Sequence, residues 1–262
     1  MPTSPVLLAG RRRLLGGLVG VLALATAPVR ADFPDTVSKV KASVVAVGTY
    51  LPTRSPQFQF LGTGFVVGNG RQVVTNAHVA NAQAASRDIN ERLAIAFPGS
   101  GRTGGRVASM DVLDSEHDLA LLRVEGEPLP AMKLGDLDQV RDGQDIAITG
   151  FPLGTAIGII PVTHKGIVAA VTPAGQPLPS SRQLDAGTVR RLAGGGFPVL
   201  QLDIVSYPGN SGSPVYDTQT GEVLGVLNMV FVKGMKENAI STPSGISYAI
   251  PVPFLKALLK PE

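Results

Sequence analysis

The sequence has no cysteine and no tryptophan, and its only histidines are His78, His117 and His164. Without cysteine there can be no disulfide framework, thiolate metal site, cysteine nucleophile or cysteine-linked lipid. At 262 residues the chain is long enough for one large domain, or two closely packed units, with a well-filled core.

Long apolar runs are also scarce. The longest, Leu14 to Ala27, has about 14 residues, short of the roughly 20 needed to span a bilayer. It follows Arg11, Arg12 and Arg13 and ends in "VRA" before Asp32, the pattern of a removable export signal over residues 1–31. The arginines fit both the general secretory and the twin-arginine routes, so both stay open. The whole chain carries 23 basic and 20 acidic residues, but four arginines and no acid lie in the first 31. The mature part then holds 19 basic against 20 acidic side chains, which predicts no nucleic-acid partner and no membrane association of the mature form.

What the sequence has in quantity is short β-type runs. "SVVAVGTY", "GTGFVVGNGRQVVTNAHV", "RLAIAFPG", "DLALLRVEG", "DIAITGFP", "GIVAAVT", "VLQLDIV", "EVLGVLNMVFV" and "SYAIPV" are separated by Gly, Pro and Asn. Many short strands with turn signals predict an all-β barrel or sandwich. "EGEPLPAMKLGDLDQV" (125–140) interrupts them as a linker between two β-units, and "PVPFLKALLK" near the C-terminus predicts a short helix. "DFPDTVSKVK" predicts one or two helical turns, and the Gly- and Pro-rich stretch 173–198 a functional or mobile loop.

"SYPGNSGSPVYD" (206–217) sets Ser211 between glycines in a stretch of turn formers. A serine hydroxyl becomes a nucleophile only with a neighbouring base and an acid that orients that base. The G-x-S-x-G elbow of α/β-hydrolases needs a histidine after the serine, and all three histidines precede Ser211. The order acid, histidine, serine would require parallel strands alternating with long helices, which the pattern lacks. Histidine, acid, serine remains. On residues alone His78 could be a strand-end histidine satisfied by backbone, and Asp118 competes with Asp111, Asp114 and Glu116.

"VVTNAHVA" (73–80), "HDLALLRV" (117–124) and "GNSGSPV" (209–215) resemble, in order, the three catalytic motifs of chymotrypsin-fold serine proteases, nearest to the HtrA-like bacterial branch. "GTGFVV", "LGDLDQVRDGQDIAITGFPLG", "GIVAAVT", "QLDIVSYPGNSG" and "GISYAIPV" extend the resemblance over most of residues 33–260. It implies an all-β fold of two packed six-stranded antiparallel barrels, the first about 42–125 and the second about 141–252. A linker of about 126–140 would join them, with a C-terminal helix of about 252–260. No PDZ domain is expected within residues 32–262.

The resemblance further implies His78 as general base and acid, Asp118 as its orienting carboxylate and Ser211 as nucleophile. It places the oxyanion hole at the backbone N–H groups of Gly209 and Ser211. Val205 would floor the specificity pocket, and Asn228, Met229 and Val230 would wall it. With no acid among these, residues of small to medium aliphatic type are expected before the scissile bond. His117 and His164 are read as non-catalytic. Ser213 departs from the commoner Gly-Gly ending of the motif.

The function expected is an exported serine endopeptidase acting on unfolded or exposed polypeptide segments in the bacterial periplasm or outside the cell, with no metal and no cofactor. The alternative from another class is an idle, polypeptide-binding or chaperone-like relative on the same fold. The family resemblance also raises a homotrimer joined through N-terminal aromatics, for which Phe33, Phe58 and Phe60 are the candidates, against a monomer.

Overall fold

The computed structural model describes residues 32–81, 88–98, 105–152, 154, 159–173, 197–228 and 245–259. The export segment 1–31, Met229, Val230 and nearly all of the loop 173–198 lie outside the described residues.

Strand β1 (Val44–Tyr50) is followed by β2 (Phe58–Val67), β3 (Gln72–Thr75), β4 (Arg92–Ala96), β5 (Arg106–Asp114) and β6 (Leu119–Val124). They close into an antiparallel barrel in the order β1-β2-β3-β6-β5-β4. A second set, β7 (Asp145–Gly150), β8 (Val162–Pro173), β9 (Pro198–Asp203), β10 (Pro214–Asp217), β11 (Val223–Asn228) and β12 (Ile246–Pro251), closes in the order β10-β11-β12-β9-β8-β7. The predicted all-β fold of two six-stranded antiparallel barrels is the one observed. Among the described residues, helices α1 (Phe33–Lys41), α2 (Ala77–Ala80) and α3 (Val252–Leu258) accompany the barrels. Helix α1 runs for nine residues, longer than the one or two turns expected.

Strand side chains alternate between two faces, so a strand that reads apolar at every position must be covered on both. In β1, Val45 and Val47 fill the first barrel while Val44 and Ala46 face a separate apolar layer; in β6, Ala120 and Leu122 divide from Leu119 and Leu121 in the same way. The second barrel repeats the division, with Ile146 and Ile148 inside and Ala147 outside. The shared layer draws on both barrels through Phe65, Val74, Phe151, Tyr216 and Val226 and takes in Leu255 of α3. This layer presses the barrels together, and the loops that carry the candidate site lie along it. Phe33, Phe58 and Phe60 are partly buried and pack against this layer.

Candidate active site

Strand β3 ends at Thr75 and hands the chain to α2, a single turn whose first N–H groups have no partner inside so short a helix. Asn76 at its N-cap makes no side-chain cap. The carboxylate of Asp118 takes that place: Oδ1 accepts the backbone N–H of His78 at 2.8 Å and Oδ2 pairs with His78 Nδ1 at 2.7 Å. The carbonyl of Asp118 also accepts from Ala77 N–H and from Asn76 Nδ2, both at 3.1 Å. Four contacts between two segments some forty residues apart thus fix the histidine ring by its Nδ1 edge. The opposite edge, with Nε2, is left for other chemistry.

Asp118 has φ +54°, the only described non-glycine residue with positive φ. A side chain rarely adopts this conformation, and it persists only where the surroundings over-determine it. The four contacts to α2 are those surroundings. A further donor comes from the second barrel, where Asn228 at the end of β11 gives Nδ2 to Asp118 Oδ2 at 2.9 Å. Asn228 is 1% exposed. Expected as a pocket wall, it is placed by the structure on the carboxylate.

Ser211 sits in the connection between β9 and β10. Pro208 and Gly209 are the central residues of a turn closed by Asn210 N–H to Tyr207 O at 3.0 Å. Gly209 has φ +102°, the value that a type II turn requires of its third residue and that glycine adopts without strain. Gly212 follows with φ +86°, and a Cβ there would collide with the carbonyl oxygen of Thr63. The turn is bound to the first barrel by Thr63 N–H to Ser211 O at 2.9 Å, and to β11 by Gly212 N–H to Leu227 O at 3.0 Å. Ser211 is 9% exposed.

The structure therefore joins His78 to Asp118 directly. It brings the Ser211 turn against strands β2 and β11, which adjoin or touch that pair. Val205 lies just after β9 and is 36% exposed.

His117 and Asp118 both lie in the turn 115–118 that precedes β6. His117 pairs its Nδ1 with Asp114 Oδ2 at 2.7 Å and stacks on Phe254 of α3 at 4.1 Å between centroids, with Phe197 edge-on at 4.8 Å. Burial alone would push the Asp114 carboxyl up. The backbone N–H and ring of His117, with the N–H of Glu116, outweigh it and hold the carboxyl below its ordinary value. His164 lies in β8 beside Tyr207, its Nε2 buried without a partner, and burial pushes its pKa down.

Sequence reasoning missed Thr63, whose hydroxyl meets the serine turn, the contact of Asn228 with Asp118, and the strained Asp118 backbone. Thr63 and Asn228 each interrupt an apolar strand run, which is a legible signal. Backbone strain leaves none in the letters.

A family model described as a trypsin-like peptidase domain matches residues 62–226, more than half of the chain. A probable periplasmic serine endoprotease DegP-like of Marinomonas sp. (strain MWYL1) is 30% identical over 205 residues, covering 78% of this chain and 36% of the relative. The protein of the same description from Pseudomonas putida (strain GB-1) is 32% identical over 199 residues, covering 76% and 34%. The chain thus spans about a third of the length of these relatives. Among solved structures, HtrA-type protease AlgW with decapeptide superposes with a TM-score of 0.61 at 23% identity, over 87% of this chain and 66% of that one, a shared fold. The family match takes in His78, Asp118 and Ser211 together on two closed barrels, and the chain belongs to the trypsin-like peptidase domain family.

Proposed function

We propose that this chain is an exported serine endopeptidase in which Ser211 attacks the peptide carbonyl and His78 is the base. The observation that carries the reading is the three-donor cradle of Asp118, which binds His78 twice and Asn228 once while its own backbone is strained. Such a carboxylate fixes the tautomer with Nδ1 protonated, so Nε2 keeps a lone pair for the serine proton. As the Oγ–C bond forms, that proton moves to Nε2 and the imidazolium is stabilised by Asp118.

The tetrahedral oxyanion would be met by the N–H groups of Gly209 and Ser211, for which the positive φ of Gly209 sets the turn. His78 then returns its proton to the departing amine and an acyl-enzyme remains on Ser211. Water activated by the same ring hydrolyses it. No metal or organic cofactor takes part in this sequence.

The substrates would be unfolded or exposed polypeptide segments in the periplasm, the compartment named for the DegP-like relatives. Val205 would floor a pocket for small or medium aliphatic side chains. The test is digestion of a denatured protein by residues 32–262, with product ends sequenced by mass spectrometry. Cleavage after Ala, Val, Ile or Leu that disappears in Ser211→Ala is the expected result. Absence of cleavage, or cleavage that survives the substitution, would overturn the reading.

A further inference from the structure

Thr63 of β2 is fully buried, a hydroxyl in the otherwise apolar run "GFVV" and its flank. All its polar groups are engaged. The hydroxyl donates to Gly209 O at 2.7 Å and accepts the N–H of Phe151 at 3.1 Å. Its backbone N–H donates to Ser211 O at 2.9 Å, and its carbonyl accepts the hydroxyl of Thr75 at 2.7 Å. One first-barrel residue thus takes two carbonyls of the serine turn and is itself tied to the strand that leads into His78.

We propose that Thr63 is a positioning residue that selects the working arrangement of the serine turn, an inference that rests on the protease reading above. A carbonyl that swung into the cleft would put a negative dipole where the oxyanion forms, opposing the charge that the hole must stabilise. Thr63 holds the carbonyls of Gly209 and Ser211 on the β2 side instead. The peptide unit between Gly209 and Asn210 is held at both ends, by Thr63 at its oxygen and by Tyr207 O at its N–H.

A buried polar cluster lies close by. The side chains of Asn210 and Ser213 are 0% exposed, and the amide of Asn210 and the hydroxyl of Ser213 have no hydrogen-bond partner. Both converge with the Thr63 hydroxyl on Gly150, where a Cβ would lie 2.9 Å from Asn210 Oδ1 and 2.9 Å from Thr63 Oγ1 and would collide with Ser213 Oγ. Neither side chain ties the turn down through a hydrogen bond of its own. The Thr63 hydroxyl supplies the side-chain bond that holds the Gly209 carbonyl, and only glycine at 150 leaves room for the cluster.

Three variants test this: Thr63→Val keeps the shape without the hydroxyl, Thr63→Cys fills the site with a weak donor, and Thr63→Ser keeps the donor. Hydrolysis of a peptide ester should fall about 10- to 100-fold in kcat for Thr63→Val with KM little changed, less for Thr63→Cys, and within about threefold of the parent for Thr63→Ser. Hydrogen exchange over residues 206–213 reads the order of the turn without any reaction. It should quicken in Thr63→Val and Thr63→Cys and not in Thr63→Ser.

Folded Thr63→Val with parental kcat and parental exchange would overturn the proposal. So would Thr63→Ser as impaired as Thr63→Val, which would make the role one of packing. If Thr63→Val does not fold, equal rates and exchange for Thr63→Cys and Thr63→Ser overturn it. If the parent protein hydrolyses nothing, the protease reading fails, while the exchange pattern still decides the role of Thr63.

Discussion

Among the described residues there are two His–Asp pairs, and in their bond they are the same: His78 with Asp118 and His117 with Asp114, each Nδ1 to Oδ2 at 2.7 Å. Their surroundings differ in every respect that matters for chemistry. The first pair joins segments far apart in the chain, receives Asn228 from the other barrel, and holds a strained backbone. The second closes within one turn, and its ring is sealed between Phe197 and Phe254. His78 keeps 32% of its side chain exposed, against 18% for His117. A carboxylate on an imidazole is therefore not by itself a signature of catalysis; what sets His78 apart is the greater exposure of its ring and the donor its carboxylate receives from the second barrel.

The sharpest way to break this comparison is to remove each ring in turn. His78→Ala should lower kcat/KM for a peptide ester by about 10⁴-fold or more, while His117→Ala should change it by less than about threefold. Equal losses would mean that the two pairs act as one unit. Next in size is Asp118→Asn, which keeps the geometry but allows the wrong tautomer and should cost about 10⁴ in kcat, most severely near neutral pH. Asp114→Asn should leave kcat nearly unchanged in the same assay. Asn228→Ala removes one hydrogen bond to a carboxylate, about 1.5–3 kcal/mol in general terms, and should slow hydrolysis about tenfold or somewhat more.

The sequence motifs identified the first pair and were silent on the second. His78, Asp118 and Ser211 stand in motifs whose order excluded the α/β-hydrolase arrangement, while the lack of long helices between the strands set aside the acid, histidine, serine one. The two barrels were equally legible, because strands such as "LALLRV" are apolar on both faces and must lie between two cores. The His117 cluster was not legible, since Phe197 and Phe254 reach it from distant segments by tertiary packing. The same holds for Asn228, whose partner lies 110 positions away. Thr63 lies within the matching motif "GTGFVV", yet nothing local says that a strand hydroxyl will meet a turn 146 residues later.

For stability the ranking of the pairs should invert. His117→Ala removes a ring stacked on Phe254 and met edge-on by Phe197 and should cost about 1–3 kcal/mol, read as a lower thermal midpoint. His78→Ala, on a more open ring, should cost less. The smallest effect expected is the pH dependence of the Asp114 contact. Its folded carboxyl titrates below the ordinary carboxylate value, so its contribution is present above the unfolded pKa and is lost as pH falls through the folded one. Asp114→Asn should therefore be less stable than the parent at pH 7, with the gap closing below about pH 4. A gap that stays constant with pH would show that the charge on Asp114 is irrelevant to the fold.

The most direct test of the central claim is the rate at which a fluorophosphonate forms an adduct, mapped by mass spectrometry, in the parent protein, His78→Ala and His117→Ala. The adduct should lie on Ser211, form at nearly the same rate in the parent and in His117→Ala, and be all but absent from His78→Ala. Labelling of Ser211 that survives the loss of His78, or that is lost equally with His117, would contradict the assignment of His78 and Asp118 as the pair that activates the serine.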